Sequence, residues 1–195
     1  MPGVEIEPAR TVDELVEFLR RCDGVFDSLG PDGDPIDILQ HGLQCANVLA
    51  QREPDDVELQ VAGLVHDVGH VVVPNEPTAP VKHGEIGAKY VRTLLGHRVA
   101  QLTALHVPAK RYLVATDPAY ARRLSDGSTV SLEIQGGAMS PGEVTAFEAN
   151  PHGADAASLR RADEAAKIIG RVVPDLESWI LTVEAVAASA ASVAR

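Results

Sequence analysis

Large side chains are scarce in this chain: one Trp, three Tyr and three Phe make up 4% of 195 residues, against 45% hydrophobic residues overall. With few rings to fill space, the core must come from small and branched aliphatic side chains, which suits closely packed helices. Only two cysteines occur, Cys22 and Cys45, at no ligand spacing. That excludes a disulfide framework or a thiolate metal cluster and leaves free thiols in a reducing compartment as the expectation. Basic residues are outnumbered 17 to 28, for a net charge of −11. The deficit excludes nucleic acid or an anionic membrane as the main partner, while a small anion can still bind where charge is locally positive. No stretch reaches the ~20 apolar residues of a membrane span. The Ala/Val-rich C-terminal run comes nearest, and Glu184 interrupts it. Met1 to Arg20 carries acids and no long apolar run, so no signal peptide is expected and the location is expected to be cytoplasmic.

What is present reads as an all-α chain, a single domain over residues 1–195. Thr11-Val12-Asp13-Glu14 is a capping box ahead of Val12, Leu15, Phe18 and Leu19 at helical spacing. From Cys22 to Pro35, Gly, Pro and Asp predict an acidic loop holding Asp23, Asp27, Asp32 and Asp34. Ile36 to Gln51 repeats apolar residues at half-buried helical spacing and carries His41. A third helix is predicted from Pro54-Asp55 to about His70, followed by a proline-rich loop. His83 to Leu95 is helical up to Gly96, and the next helix carries Val99, Leu102 and Leu105 to His106. Asp117-Pro118 caps a short helix, Ser125 to Ile134 forms another, and Ser140-Pro141-Gly142-Glu143 is a second capping box. Two long helices, about 154–171 and 174–193, complete the pattern.

The segment Gly63-Leu64-Val65-His66-Asp67-Val68-Gly69-His70 places three ionisable side chains at the end of an apolar helix, and burying them unpaired would cost several kcal/mol. On one continuous helix, His66 and His70 share a face. By itself His66-Asp67 reads more readily as a structural hydrogen-bonded pair. Taken with His41, His83, His106 and Asp163, however, it supplies four imidazoles and two carboxylates, enough for two metals once water and substrate are added. A set of N and O ligands without thiolate suits Fe, Mn or Zn. His97 and His152 match no such spacing and are expected at the surface.

A His, a later His-Asp pair and a distant Asp, here His41, His66-Asp67 and Asp163, resemble the HD-domain superfamily, many of whose members are phosphohydrolases. The runs His41-Gly42-Leu43-Gln44-Cys45-Ala46, His83-Gly84-Glu85-Ile86-Gly87-Ala88, His106 through Val114, and Gln135-Gly136-Gly137-Ala138-Met139 resemble a smaller group within it, the mixed-valent di-iron oxygenases of the 2-amino-1-hydroxyethylphosphonate dioxygenase family. The likeness spans roughly residues 36 to 168. It implies a single HD-domain helical bundle around two iron ions, Fe(II)/Fe(III). One would be held by His41, His66, Asp67 and Asp163, the other by Asp67, His83 and His106, with Asp67 bridging. It further implies that His70, Lys110, Ser128 and Arg160 grip a phosphonate, with His70 and Lys110 in catalytic contact. Lys110 lies one turn past His106, so its ammonium can face the metals.

The implied reaction consumes a small organophosphonate and O2 and breaks a carbon–phosphorus bond. The alternative is an HD phosphohydrolase acting on a phosphate ester. Two positions depart from the family: the stretch from Phe26 to Asp34 has no tyrosine where the family's lid loop carries one, and Ala162 precedes the last Asp where an aromatic is usual.

Overall fold

The computed structural model describes residues 6–27, 36–73 and 79–193. Among these it is wholly helical, with ten elements: α1 (Val12–Arg20), α2 (Ile38–Arg52), α3 (Val57–Val65), α4 (Gly69–Val72), α5 (Ala79–Thr116), α6 (Pro118–Ala121), α7 (Asp126–Ile134), α8 (Pro141–Glu148), α9 (Gly153–Glu164) and α10 (Leu176–Val193). Polar caps set most of the starts. Thr11 and Ser140 form the two expected capping boxes, and Asp37, Asp56, Asp117 and Ser125 each accept a first-turn N–H.

The core is aliphatic, as the shortage of rings requires. Leu15, Leu19, Leu49, Val61, Val65, Leu95, Leu102 and Leu159 are fully buried, with Ala46, Ala62, Ala156 and Ala162 where helices approach closely. Each fully buried Leu or Val contributes roughly 1.5–3 kcal/mol. Cys22 and Cys45 are buried free thiols. By length and composition α10 could cross a membrane, yet Leu176, Trp179, Val183 and Val186 are buried, and the helix packs on α1, α3 and α5.

Two departures from the sequence expectation occur beside the candidate ligands. The third helix does not run to His70: it stops at Val65, and the chain turns through bonds from Val68 N–H to Val65 O and from His70 N–H to Asp67 O before the short α4. His66 and His70 therefore do not share a helix face. The ninth helix ends at Glu164 rather than near 171, because the backbone of Ala166 and Ile168 is drawn off to the side chains of His41 and Gln44. Asp32 and Asp34 of the acidic loop lie outside the described residues. Asp23 and Asp27 are exposed, and Ile38 N–H bonds to Val25 O at 2.8 Å, drawing together the two ends of that loop.

Two glycines permit the arrangement. Gly96 breaks α5 with φ 85° and ψ −178°, a region that side-chain-bearing residues avoid. In a continuous helix His83 and His106 would stand about 35 Å apart at ~1.5 Å per residue; across this break their rings approach to a centroid distance of 4.9 Å. At Gly42 on α2 a Cβ would come within 2.4 Å of Leu64 O, so only glycine lets α2 lie against the end of α3 and set His41 beside His66.

Replacing Gly96 by Ala is expected to cost about 1–3 kcal/mol, a fall in Tm of roughly 2–12 °C for a chain of this size. Its Cβ would also meet Ala190 on α10 at 2.9 Å. Gly142→Ala, where a Cβ meets nothing within 4 Å, serves as the control. Thermal unfolding by circular dichroism decides the matter, and equal Tm values for the two variants would refute this role for the break.

Candidate di-metal site

Two ligand groups form around one carboxylate. The first brings together His41 of α2, His66 at the end of α3 and Asp163 of α9; the second joins Asp67, His83 from the first arm of α5 and His106 from the second. Asp67 serves both. Its Oδ2 lies 3.4 Å from His41 Nε2 and 3.3 Å from His66 Nε2, while Oδ1 lies 3.5 Å from His83 Nε2 and 3.3 Å from His106 Nε2. Asp163 Oδ1 is 3.2 Å from His41 Nε2. The rings of His66 and His106 meet edge to face at 5.0 Å, so the groups adjoin.

Backbone carbonyls set the imidazole tautomers. Nδ1 of His41 lies 3.1 Å from Ala166 O, that of His66 2.8 Å from Gly63 O, and that of His106 2.6 Å from Thr103 O. Each Nδ1–H donates to its carbonyl, so these three rings turn Nε2 inward, where it can carry a proton or ligate a metal. Yet Nε2 of His41 and His66 are 3.1 Å apart, and those of His83 and His106 only 2.9 Å. Ring nitrogens that close repel unless a cation, either a proton or a metal ion, lies between them. This donor set therefore fits a metal pair, one ion to each group, with Asp67 bridging.

Electrostatics agree. Burial would raise both carboxyls, but His66, His106 and His83 hold Asp67 well below the usual carboxylate range, and Arg160, His41 and His66 do the same for Asp163. Burial alone would depress His66, yet Asp67 and Asp163 lift it to about 9. His83 and His106 are pushed down, chiefly by burial, and stay neutral. The site attracts positive charge.

Around this centre His70 stacks on His83, with ring centroids 4.0 Å apart. Lys110 is only 4% exposed and its Nζ donates to Ser131 Oγ at 2.5 Å, its sole hydrogen bond among the described residues. Ser128 and Arg160 are brought together but are already engaged. Arg160 bonds Tyr120 Oη (2.8 Å), Ser128 Oγ (2.7 Å), Glu164 Oε2 (2.5 Å) and Asp163 Oδ2, which leaves one of its five N–H donors. Ser128 Oγ also donates to Glu164 Oε2 and accepts from Lys167 Nζ. Arg160 thus braces the metal ligand Asp163. His97 and His152 pair with each other, their ring centroids 5.9 Å apart, and join neither ligand group.

Sequence reasoning passed over Gln44, Tyr120, Ser131, Glu164 and Lys167. Gln44 and Ser131 carried a readable signal, since each lies three residues after a named residue on the same helix, His41 and Ser128 respectively. Tyr120 and Lys167 carried none.

Comparison with known proteins agrees with this geometry. The HD domain family matches residues 37–130. The chain is 36% identical over 169 residues to [1-hydroxy-2-(trimethylamino)ethyl]phosphonate dioxygenase (glycine-betaine-forming) of Leisingera caerulea, covering 83% of this chain and 84% of that protein. It is 38% identical over 152 residues to hydroxymethylphosphonate dioxygenase of Gimesia maris, covering 75% of each. An uncharacterized protein of Acanthamoeba polyphaga mimivirus is 26% identical over 180 residues, 86% of this chain and 81% of the viral protein.

Because Asp67 faces both ligand groups, Asp67→Ala is expected to lose both metals, whereas His83→Ala or His106→Ala weakens mainly one. Elemental analysis of purified protein provides the check. Two equivalents retained by Asp67→Ala, or a single equivalent in the wild type, would contradict the bridge.

Proposed function

We propose, for a chain that belongs to the HD-domain phosphonate dioxygenase family, that it uses O2 and a mixed-valent di-iron centre to cleave the carbon–phosphorus bond of a small 1-hydroxyphosphonate. The observation that carries this reading is the Asp67 bridge between two histidine groups. The overall chemistry balances without an external reductant: a 1-hydroxyphosphonate plus one O2 yields a carboxylic acid and phosphoric acid. Bound iron would supply O2 activation and Lewis acidity. Two Asp ligands cannot neutralise two such ions, so the centre keeps positive charge for a dianionic phosphonate.

The chain's own residues supply binding. Among the described residues Lys110 Nζ is buried with a single hydroxyl partner and no ion pair, which suits it to an anionic group of the substrate. His70, held against His83, offers a ring nitrogen to a phosphonate oxygen. Ser128 contributes if substrate displaces one of its present partners. Arg160 acts through Asp163, keeping that carboxylate ionised and turned toward His41.

Among candidate substrates we favour 2-amino-1-hydroxyethylphosphonate or a close analogue. The acidic loop leads into the helix that bears His41, and a carboxylate such as Asp23 or Asp27 suits an ammonium group. A trimethylammonium substrate is less favoured, since such cations are usually boxed by aromatic faces and this loop offers only Phe26. Turnover of the amino-, trimethylamino- and hydroxymethyl-type phosphonates should rank in favour of the first. Preference for either other compound would overturn that choice. The class reading is tested separately by one O2 consumed per phosphate released, and anaerobic phosphate release from an ester would replace it with a phosphohydrolase.

Lys110 gives a pH prediction. Burial, reinforced by Arg160, lowers its pKa to about 7, so the ammonium is charged below that value and lost above it. KM for the phosphonate should therefore rise as pH climbs through neutrality, and Lys110→Arg should flatten the rise. Lys110→Ala should keep its metals while losing about one to two decades of substrate affinity. A wild-type KM that stays constant from pH 6 to 9 would remove Lys110 from phosphonate binding.

A further inference from the structure

A cavity of about 390 Å3 opens between Arg52, Tyr120, Arg123, Arg161, Glu164 and Ala165, and none of the six metal ligands lines it. Its volume lies within the ordinary range for small-molecule sites. Three separate segments deliver its guanidinium groups: Arg52 is the last residue of α2, Arg123 follows α6, and Arg161 lies on α9. All three are exposed arginines that line one cleft in a chain of net charge −11.

These cations are not neutralised by their surroundings. Arg52 makes no hydrogen bond or ion pair among the described residues. Arg123 spends only Nε, on Ala119 O at 3.1 Å. Arg161 reaches Asp117 Oδ2 at 3.3 Å in an exposed pair, which contributes little. Glu164, the one carboxylate in the lining, is taken up by Arg160 Nη2, Ser128 Oγ and Ser125 N–H. The cavity therefore keeps a surplus of planar, multiply donating cations, the chemistry that recognises a tetrahedral dianion.

We infer that this cavity is a second, non-catalytic binding site for a phosphate- or phosphonate-class oxyanion, gripped by Arg52, Arg123 and Arg161. Two of its wall residues, Tyr120 and Glu164, are the same side chains that hold Arg160, which in turn braces Asp163. A ligand here therefore sits beside the metal centre's support without touching the metals. A local positive field also draws a dianion toward an otherwise acidic protein.

The test is isothermal titration calorimetry of the metal-loaded full chain with inorganic phosphate and, separately, with methylphosphonate. Wild type is compared with the triple variant Arg52→Ala, Arg123→Ala, Arg161→Ala, and with the single Arg52→Gln in case the triple variant does not fold. Wild type should bind one more equivalent of oxyanion than the triple variant. Arg52→Gln should weaken that extra site by about ten- to hundredfold while leaving binding at the metal centre unchanged. Tighter phosphate identifies a site for the product class, and tighter methylphosphonate one for the substrate class. Identical stoichiometry and affinity in wild type and variants overturn the proposal. The readout needs no turnover, so it stands apart from the fate of the oxygenase reading.

Discussion

The structure turns on one carboxylate with its two oxygens facing in opposite directions. Asp67 presents Oδ2 to His41 and His66 and Oδ1 to His83 and His106. An isolated buried carboxylate is expensive and tends to neutralise itself. Here the imidazoles around it keep it ionised, and it in turn helps to lift His66. Helices must therefore converge on this point from α2, the end of α3, both arms of α5, and α9. Each of those elements is broken, capped or thinned to glycine close to where it arrives.

Two of these local defects, the ends of α3 and α9, share a physical origin. An imidazole that must present Nε2 to a metal needs an acceptor for its Nδ1–H, and inside a helical protein the nearest acceptors are carbonyls that a continuous helix would otherwise use. His66 takes Gly63 O, the acceptor for Asp67 N–H had α3 continued, and α3 ends. His41 takes Ala166 O, and α9 stops two residues earlier. At these two places helical continuity is given up where ligand orientation is gained, whereas His106 takes Thr103 O within a helix that runs on to Thr116.

Charge is likewise organised by place rather than by total. The chain is strongly acidic, yet Lys110, Arg160 and Lys167 gather beside the metal ligands, and Arg52, Arg123 and Arg161 gather around the neighbouring cavity. Arg160 sits between the two, bonded to Tyr120 and Glu164 in the cavity wall and to Asp163 at the centre. Net charge describes solubility and long-range repulsion, whereas recognition of a small dianion depends on a few cations held at short range.

The sequence alone determined the helical class, the capping boxes at Thr11 and Ser140, the break at Gly96, and the ligand candidates from His41 to Asp163. All of these rest on local periodicity, on cap chemistry, or on motif spacing, which are properties of neighbouring residues. Only the tertiary structure decided where α3 and α9 end and that His70 stacks on His83 instead of sharing a face with His66. It alone revealed that Tyr120 and Lys167 join this network. Those outcomes depend on contacts between segments far apart in the chain, such as Gln44 with Ile168 and Tyr120 with Arg160. A donor or acceptor recruited from so far away leaves no local pattern to read.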